Sequence, residues 1–118
     1  MSQMRIQRIN DALMRAIGEI IRELKDTRIP LMTSVVAVDT TNDLRYAKVR
    51  VSVMGDGEVQ KKALAGLNSA AGYIRREMGR RVDLRYTPEL VFELDHSIEH
   101  GAHINSILHE IEKKEENQ

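Results

Sequence analysis

The 118-residue sequence predicts a single α+β domain in which amphipathic helices cover one face of a small three-stranded sheet. Three observations carry that expectation. Apolar residues recur every three or four positions near the start of the chain, residues 46–54 alternate between apolar and polar, and a further alternating run follows Pro88. A chain of this length buries one core, and with one Phe, three Tyr and no Trp that core must be filled by Val, Ile, Leu, Met and Ala.

The first helix is expected over residues 6–24, where Ile6, Ile9, Leu13, Ile17, Ile20 and Leu24 fall on one stripe at about 100° per residue. Arg8, Arg15 and Arg22 line its opposite side. Asp11, Glu19 and Glu23 lie near enough to pair with Arg15 and Arg22, which is the structural expectation for those two, with phosphate contact as the alternative. Arg5 and Arg8 have less acidic company and are better candidates for contact. "KDTRIPLM" is expected to end the helix, because Pro30 has no amide hydrogen and biases Ile29 away from helical geometry.

A Val- and Thr-rich strand follows over residues 33–40, then a turn at "TNDLR". In the next strand Ala47, Val49, Val51 and Val53 share the core face, while Tyr46, Lys48, Arg50 and Ser52 make a solvated, basic one. "GDGE" marks the start of a second helical region, whose stripe of Val59, Ala63, Leu67, Ala70 and Ile74 stays in phase across Gly72. Periodicity therefore favours one helix with an interior glycine, ending near Gly79 as a left-handed cap. The small run Ala70, Ala71 and Gly72 would let it approach a neighbour closely. A third strand is expected over residues 89–95, and a last helix through Ile104, Ile107, Leu108 and Ile111. The domain is thus expected to span residues 1–111, with 112–118, "EKKEENQ", as a flexible acidic tail.

Composition narrows the function. Without cysteine there is no disulfide, thiolate metal site or thiol nucleophile, and no stretch of 18 apolar residues suggests a membrane span, so a soluble cytoplasmic protein is expected. Residues 1–88 carry 16 Lys+Arg against 10 Asp+Glu, and residues 89–118 carry 2 against 8, which suggests a basic working surface followed by an acidic end. Scarce aromatics argue against base stacking as the main mode of recognition.

No motif argues for an enzyme or a cofactor. "HSIEH", residues 96–100, has the H-x-x-E-H spacing of inverted zinc proteases, but Gly101 interrupts the helix that zinc would need and few residues remain to supply a distant ligand. Phosphate-binding loops of the G-x-x-x-x-G-K-[ST] and G-x-G-x-x-G kinds are absent. What remains is cationic: Arg45, Lys48 and Arg50 around the strands, and Arg75, Arg76, Arg80, Arg81 and Arg85 against Glu77 and Asp83. Arginine suits bidentate contact with phosphate, and a merely solvated helix face is the alternative.

The pieces "DTRIPLMTSVVAVDTTNDLRYAKVRVSVMG", "AAGYIRREMG" and "LRYTPELVFELDHSIEHG", in this order and spacing, resemble the ribosome-binding factor A family over nearly the whole chain. The resemblance implies a type II K-homology-like fold, α-β-β-α-α-β. It also implies an Ala-x-Gly kink between the paired helices, here Ala70, Ala71 and Gly72, in place of the G-x-x-G loop of K-homology domains. A helix beginning at such a kink would offer unpaired amides and a positive dipole end to phosphate, with Arg75 and Arg76 in its first turn.

Further implications are binding to 16S ribosomal RNA in the immature 30S subunit, a role in cold growth and release assisted by a ribosome-assembly GTPase; the chain is expected to act as a monomer. The short C-terminal tail departs from commoner members. The candidate RNA contacts are therefore Arg5, Arg8, Arg45, Lys48, Arg50, Ala70, Ala71, Gly72, Arg75, Arg76, Arg80 and Arg81. A general single-stranded RNA-binding module of K-homology type and a protein-interaction domain are the competing readings.

Overall fold

The computed structural model describes residues 3–96. Its elements run α1 (Gln3–Glu23), β1 (Ser34–Thr40), β2 (Tyr46–Ser52), α2 (Gly57–Arg81) and β3 (Glu89–Leu94). The expected last helix, the acidic tail and all of "HSIEH" except His96 lie outside the described residues.

The sheet has the order β1-β2-β3. β1 pairs antiparallel with β2 through the turn at residues 41–45, and β2 pairs parallel with β3, with Tyr46 opposite Glu89 and Val49 opposite Phe92. A parallel neighbour cannot be reached through a tight turn, so the chain crosses over by way of α2. Both helices pack on the face carrying Ala47, Val49 and Val51, all fully buried, as the alternation in β2 requires. Leu13, Ile17 and Ile20 of α1 meet Leu67, Ile74 and Met78 of α2 in the same core. Buried Asn10 accepts a hydrogen bond from the Thr40 amide at 3.0 Å, which satisfies its carbonyl and ties α1 to the end of β1.

α1 stops at Glu23, within one residue of the expected end, and the chain turns at Asp26, whose carboxylate accepts from the Arg28 amide at 2.9 Å and from its guanidinium. The side chain of Arg28, with its backbone amide second, draws the Asp26 carboxyl down to about 2. α2 begins as expected, with Asp56 as its N-cap accepting from the Val59 amide at 3.0 Å. At its other end Gly79 is not a left-handed cap. It lies inside the helix, where an added Cβ would come within 3.0 Å of the Thr87 hydroxyl, and α2 runs on to Arg81 before Val82 turns extended.

The paired helices implied by the family resemblance are here one unbroken α-helix of 25 residues. Magnitudes explain why. A glycine inside a helix costs roughly 1 kcal/mol relative to alanine. Ile74 and Met78, fully buried beyond Gly72, each gain about 1.5–3 kcal/mol by staying on the stripe that Ala63 and Leu67 begin. Close approach to a neighbour is not the reason for Gly72 either, since an added Cβ would have nothing within 4 Å. That role belongs to Gly66, where a Cβ would stand 3.0 Å from Ile29 and 3.3 Å from Asp26.

Gly72→Ala is therefore expected to stabilise the fold by about 0.5–1 kcal/mol, the helix-propensity gain with no clash to offset it. Gly66→Val is expected to destabilise it by ~1–3 kcal/mol through overpacking. Urea unfolding of the two variants measures both.

Candidate nucleic-acid interface

Parallel pairing of β2 with β3 brings the starts of both strands to one end of the sheet, where the Glu89 amide donates to the Arg45 carbonyl at 2.8 Å. The C-terminal half of α2 passes the same place before the chain turns into β3. Three segments thus enclose an open groove: residues 43–46 on one side, Gly72, Arg75, Arg76 and Gly79 of α2 on another, and residues 85–87 with Glu89 on the third. At about 1040 Å³ and open to solvent, it has room for an extended ligand.

Arg45, Arg75, Arg76 and Arg85 line the groove against Asp43 and Glu89. The Thr41 hydroxyl and the Arg45 amide donate to Asp43 and, with the Arg45 charge, hold its carboxyl below the ordinary value. Arg75 donates from Nε and Nη2 to the Thr87 carbonyl, at 3.2 and 2.9 Å, pinning the 84–88 segment against α2. That leaves part of its five-donor fork for a ligand. The Arg85 guanidinium lies 5.7 Å from the centroid of the Tyr86 ring. Arg76 is exposed and makes no hydrogen bond or ion pair among the described residues. Leu44, buried although its φ is 61°, holds the turn that presents Arg45.

A second depression continues from this groove and shares Asp43, Leu44, Arg85 and Tyr86 with it; Arg5 and Arg8 of α1 line its far side. Arg5, Arg8, Arg45, Gly72, Arg75 and Arg76 from the candidate set therefore lie on one continuous surface.

The remaining candidates lie elsewhere. Lys48 and Arg50 are on the open sheet face, 3.8 Å from Glu93 and 3.6 Å from Asp39. Each of the two cations on that face is matched by a carboxylate, so it is not the basic surface expected. Arg80 stays exposed beside Glu77 at 3.4 Å.

Arg81 is a structural clamp. It binds Glu23 at 2.7 Å and reaches Glu19 and Glu77 at 3.7 and 3.9 Å, fastening α2 to α1. Glu19 and Glu23 are thereby taken from Arg15 and Arg22, which have no partner among the described residues, contrary to the pairing expected within α1. Ala70 and Ala71 are half-buried against the core. α2 runs through Gly72 as one helix, so no separate helix start is seen there.

Tyr46 and Tyr86, both lining the groove, have no counterpart in the candidate set, and Arg85 stands out in the sequence only as one arginine among several. Spacing carries no signal for the tyrosines, because strand pairing brings together residues far apart in sequence.

The family model for ribosome-binding factor A matches residues 5–108. The chain belongs to the ribosome-binding factor A family. It is 52% identical over 114 residues to ribosome-binding factor A of Caldanaerobacter subterraneus subsp. tengcongensis, covering 96% of this chain and 93% of that protein. Its fold is similar to the crystal structure of ribosome-binding factor A from Thermus thermophilus, with a TM-score of 0.69 at 28% identity over 75% of this chain and 94% of the other. It is also similar to a homology model of the Thermus thermophilus factor fitted into a cryo-EM map of its complex with the 30S subunit, with a TM-score of 0.63 at 29% identity over 74% of this chain and 91% of that one. The K-homology-like fold implied by the sequence resemblance is that of these structures. Among the described residues no helix is long and apolar enough to cross a membrane, and no cluster of His, Asp or Glu could hold a metal ion.

Arg81 holds the Glu23 carboxyl below its ordinary value, chiefly by direct hydrogen bonding. A carboxylate depressed in this way adds stability above its unfolded value and loses it as pH falls through the folded one. Arg81→Ala is expected to return Glu23 toward its ordinary value in an NMR titration. The variant should also reduce the acid-dependent part of stability, and RNA binding should be retained.

Proposed function

We propose that this member of the ribosome-binding factor A family acts without catalysis, as a cytoplasmic 30S assembly factor that holds 16S ribosomal RNA through its arginine groove. The observation that carries this reading is the convergence of Arg45, Arg75, Arg76 and Arg85, from three separate segments, on one open groove. Each phosphate neutralised there releases counterions, so affinity comes largely from backbone contacts and falls with salt. Bare backbone at Gly72 widens one wall of the groove, and Arg5 and Arg8 extend the cationic track beyond it.

The fitted Thermus thermophilus complex supports the 30S subunit as the partner. Action as a monomer agrees with the bulge between Val35 and Ala37, which roughens the β1 edge against strand pairing. Release assisted by a ribosome-assembly GTPase is the expectation that the family resemblance brings.

Arg45→Glu combined with Arg76→Glu is expected to weaken co-sedimentation with immature 30S subunits at least ~10-fold and to flatten its salt dependence, with circular dichroism unchanged. Lys48→Glu with Arg50→Glu on the open sheet face is expected to change binding less than about 2-fold. Equal loss from both pairs would remove the groove from the account, and equal affinity for subunits and arbitrary RNA would remove the ribosome specificity.

A further inference from the structure

The carboxylates nearest to Arg15 and Arg22 along α1 are engaged elsewhere. Arg81 takes Glu19 and Glu23, and the Gln7 side-chain amide donates to Asp11 at 3.0 Å, so both arginines stand exposed and without a partner among the described residues. They line a depression of about 460 Å³ between α1 and the start of β1, at the opposite end of the sheet from the arginine groove. Met14, Ile21 and Val35 give it an apolar lining. Gly18 leaves room between the two arginines, since a Cβ there would meet nothing within 4 Å. Leu31, Met32 and Met54 stand at the same end of the sheet, 97%, 69% and 65% exposed, the two methionines each two positions beyond the paired Ser34 and Ser52. Single exposed apolar side chains are ordinary, but three together beside a partly apolar depression make an uncovered surface.

β3 delivers the chain to this place. Leu94 pairs with Val51 and the Asp95 amide donates to the Val51 carbonyl at 2.8 Å, so the chain leaves the sheet two strand spacings, about 10 Å, from the β1 edge. Residues 97–118 lie outside the described residues, but their sequence has two features. Ile104, Ile107, Leu108 and Ile111 recur at helical spacing, and Glu110, Glu112, Glu115 and Glu116 outnumber Lys113 and Lys114. The connecting residues 97–103 reach up to roughly 23 Å when extended, more than the distance to be crossed.

We propose that residues 104–116 of this chain dock on this surface, their apolar stripe covering Leu31, Met32 and Met54 and their glutamates meeting Arg15 and Arg22. Charge complementarity selects the occupant: unpartnered arginines beside apolar side chains fit an acidic amphipathic segment, and a tethered one is present at high effective concentration. Docked, it closes the outer face of α1 to other anions, so the cationic track that leaves the arginine groove ends at Arg8.

The chain has no cysteine, so Asn117→Cys gives one site for a nitroxide label on the full chain. The label is expected to broaden the amide signals of Arg15, Gly18, Arg22 and Met32 and to leave those of Arg45, Arg76 and Arg85 sharp. Arg15→Glu with Arg22→Glu is expected to abolish the broadening while the amide signals of the sheet stay in place, because both side chains are exposed. Glu112→Arg, Glu115→Arg and Glu116→Arg added to that pair are expected to restore it, and Ile107→Ser with Leu108→Ser to abolish it again. No broadening in the parent, or broadening that survives both the arginine and the Ser variants, overturns the docking. Broadening of unlabelled chains mixed with labelled ones overturns it in favour of a second copy as the occupant. Absent broadening, together with weaker 30S co-sedimentation of the Arg15→Glu, Arg22→Glu variant, overturns it in favour of an RNA contact at these arginines.

Discussion

Parallel pairing of β2 with β3 sets the geometry of the whole surface. It forces the chain to cross the sheet through α2 and return in the same direction, so Tyr46 and Glu89 begin their strands side by side. The two turns that precede those strands then open at one end of the sheet, next to the last turns of α2. Arg75 binding the Thr87 carbonyl, and Gly79 admitting the Thr87 side chain, hold the third wall of the groove against the helix. An antiparallel β3 would have sent residues 84–88 to the opposite end and dispersed the arginines.

Charge is divided between structure and surface by which carboxylates lie within reach. Arg81, at the end of α2, gathers Glu19, Glu23 and Glu77 and closes the two helices over the core. This network is compensated at short range, with three carboxylates around one guanidinium, so it does little for a distant anion. Arg76, only five positions earlier in the same helix, makes no ion pair among the described residues and lines the groove. It therefore has no partner to give up when a phosphate arrives, although Asp43 and Glu89 share the groove. On the open sheet face Lys48 and Arg50 meet carboxylates from both neighbouring strands at 3.8 and 3.6 Å, as Arg45 in the groove meets Asp43 at 3.8 Å.

Local pattern made much of the fold legible. The alternation of Ala47, Val49 and Val51 and the stripe through Leu13, Ile17 and Ile20 each report which face is buried, and the structure buries those faces. The start of α2 at "GDGE" could be read because turn and cap chemistry acts within a few residues, and Asp56 proves to be the cap. Pairings between remote segments could not. Arg81 and Glu23 are 58 positions apart, and nothing near Gly79 in sequence announces Thr87 as the reason for a glycine. The arginines of the site were visible as a cluster, but their division into clamp, pin and open cation depends on neighbours that only folding supplies. Gly72 shows the same limit: family resemblance suggested a joint, while the burial of Ile74 and Met78 keeps the helix whole.

Whether the groove rather than the sheet face meets the ribosomal RNA is tested most directly by mapping the surface covered in the bound state. Hydroxyl-radical footprinting of the chain, alone and on immature 30S subunits, reads side-chain accessibility at both surfaces at once. Protection of Arg76, Arg85 and Tyr86 is expected, with Lys48, Arg50 and Val91 remaining as reactive as in the unbound chain. Protection of the sheet face with an open groove would contradict the groove as the RNA site.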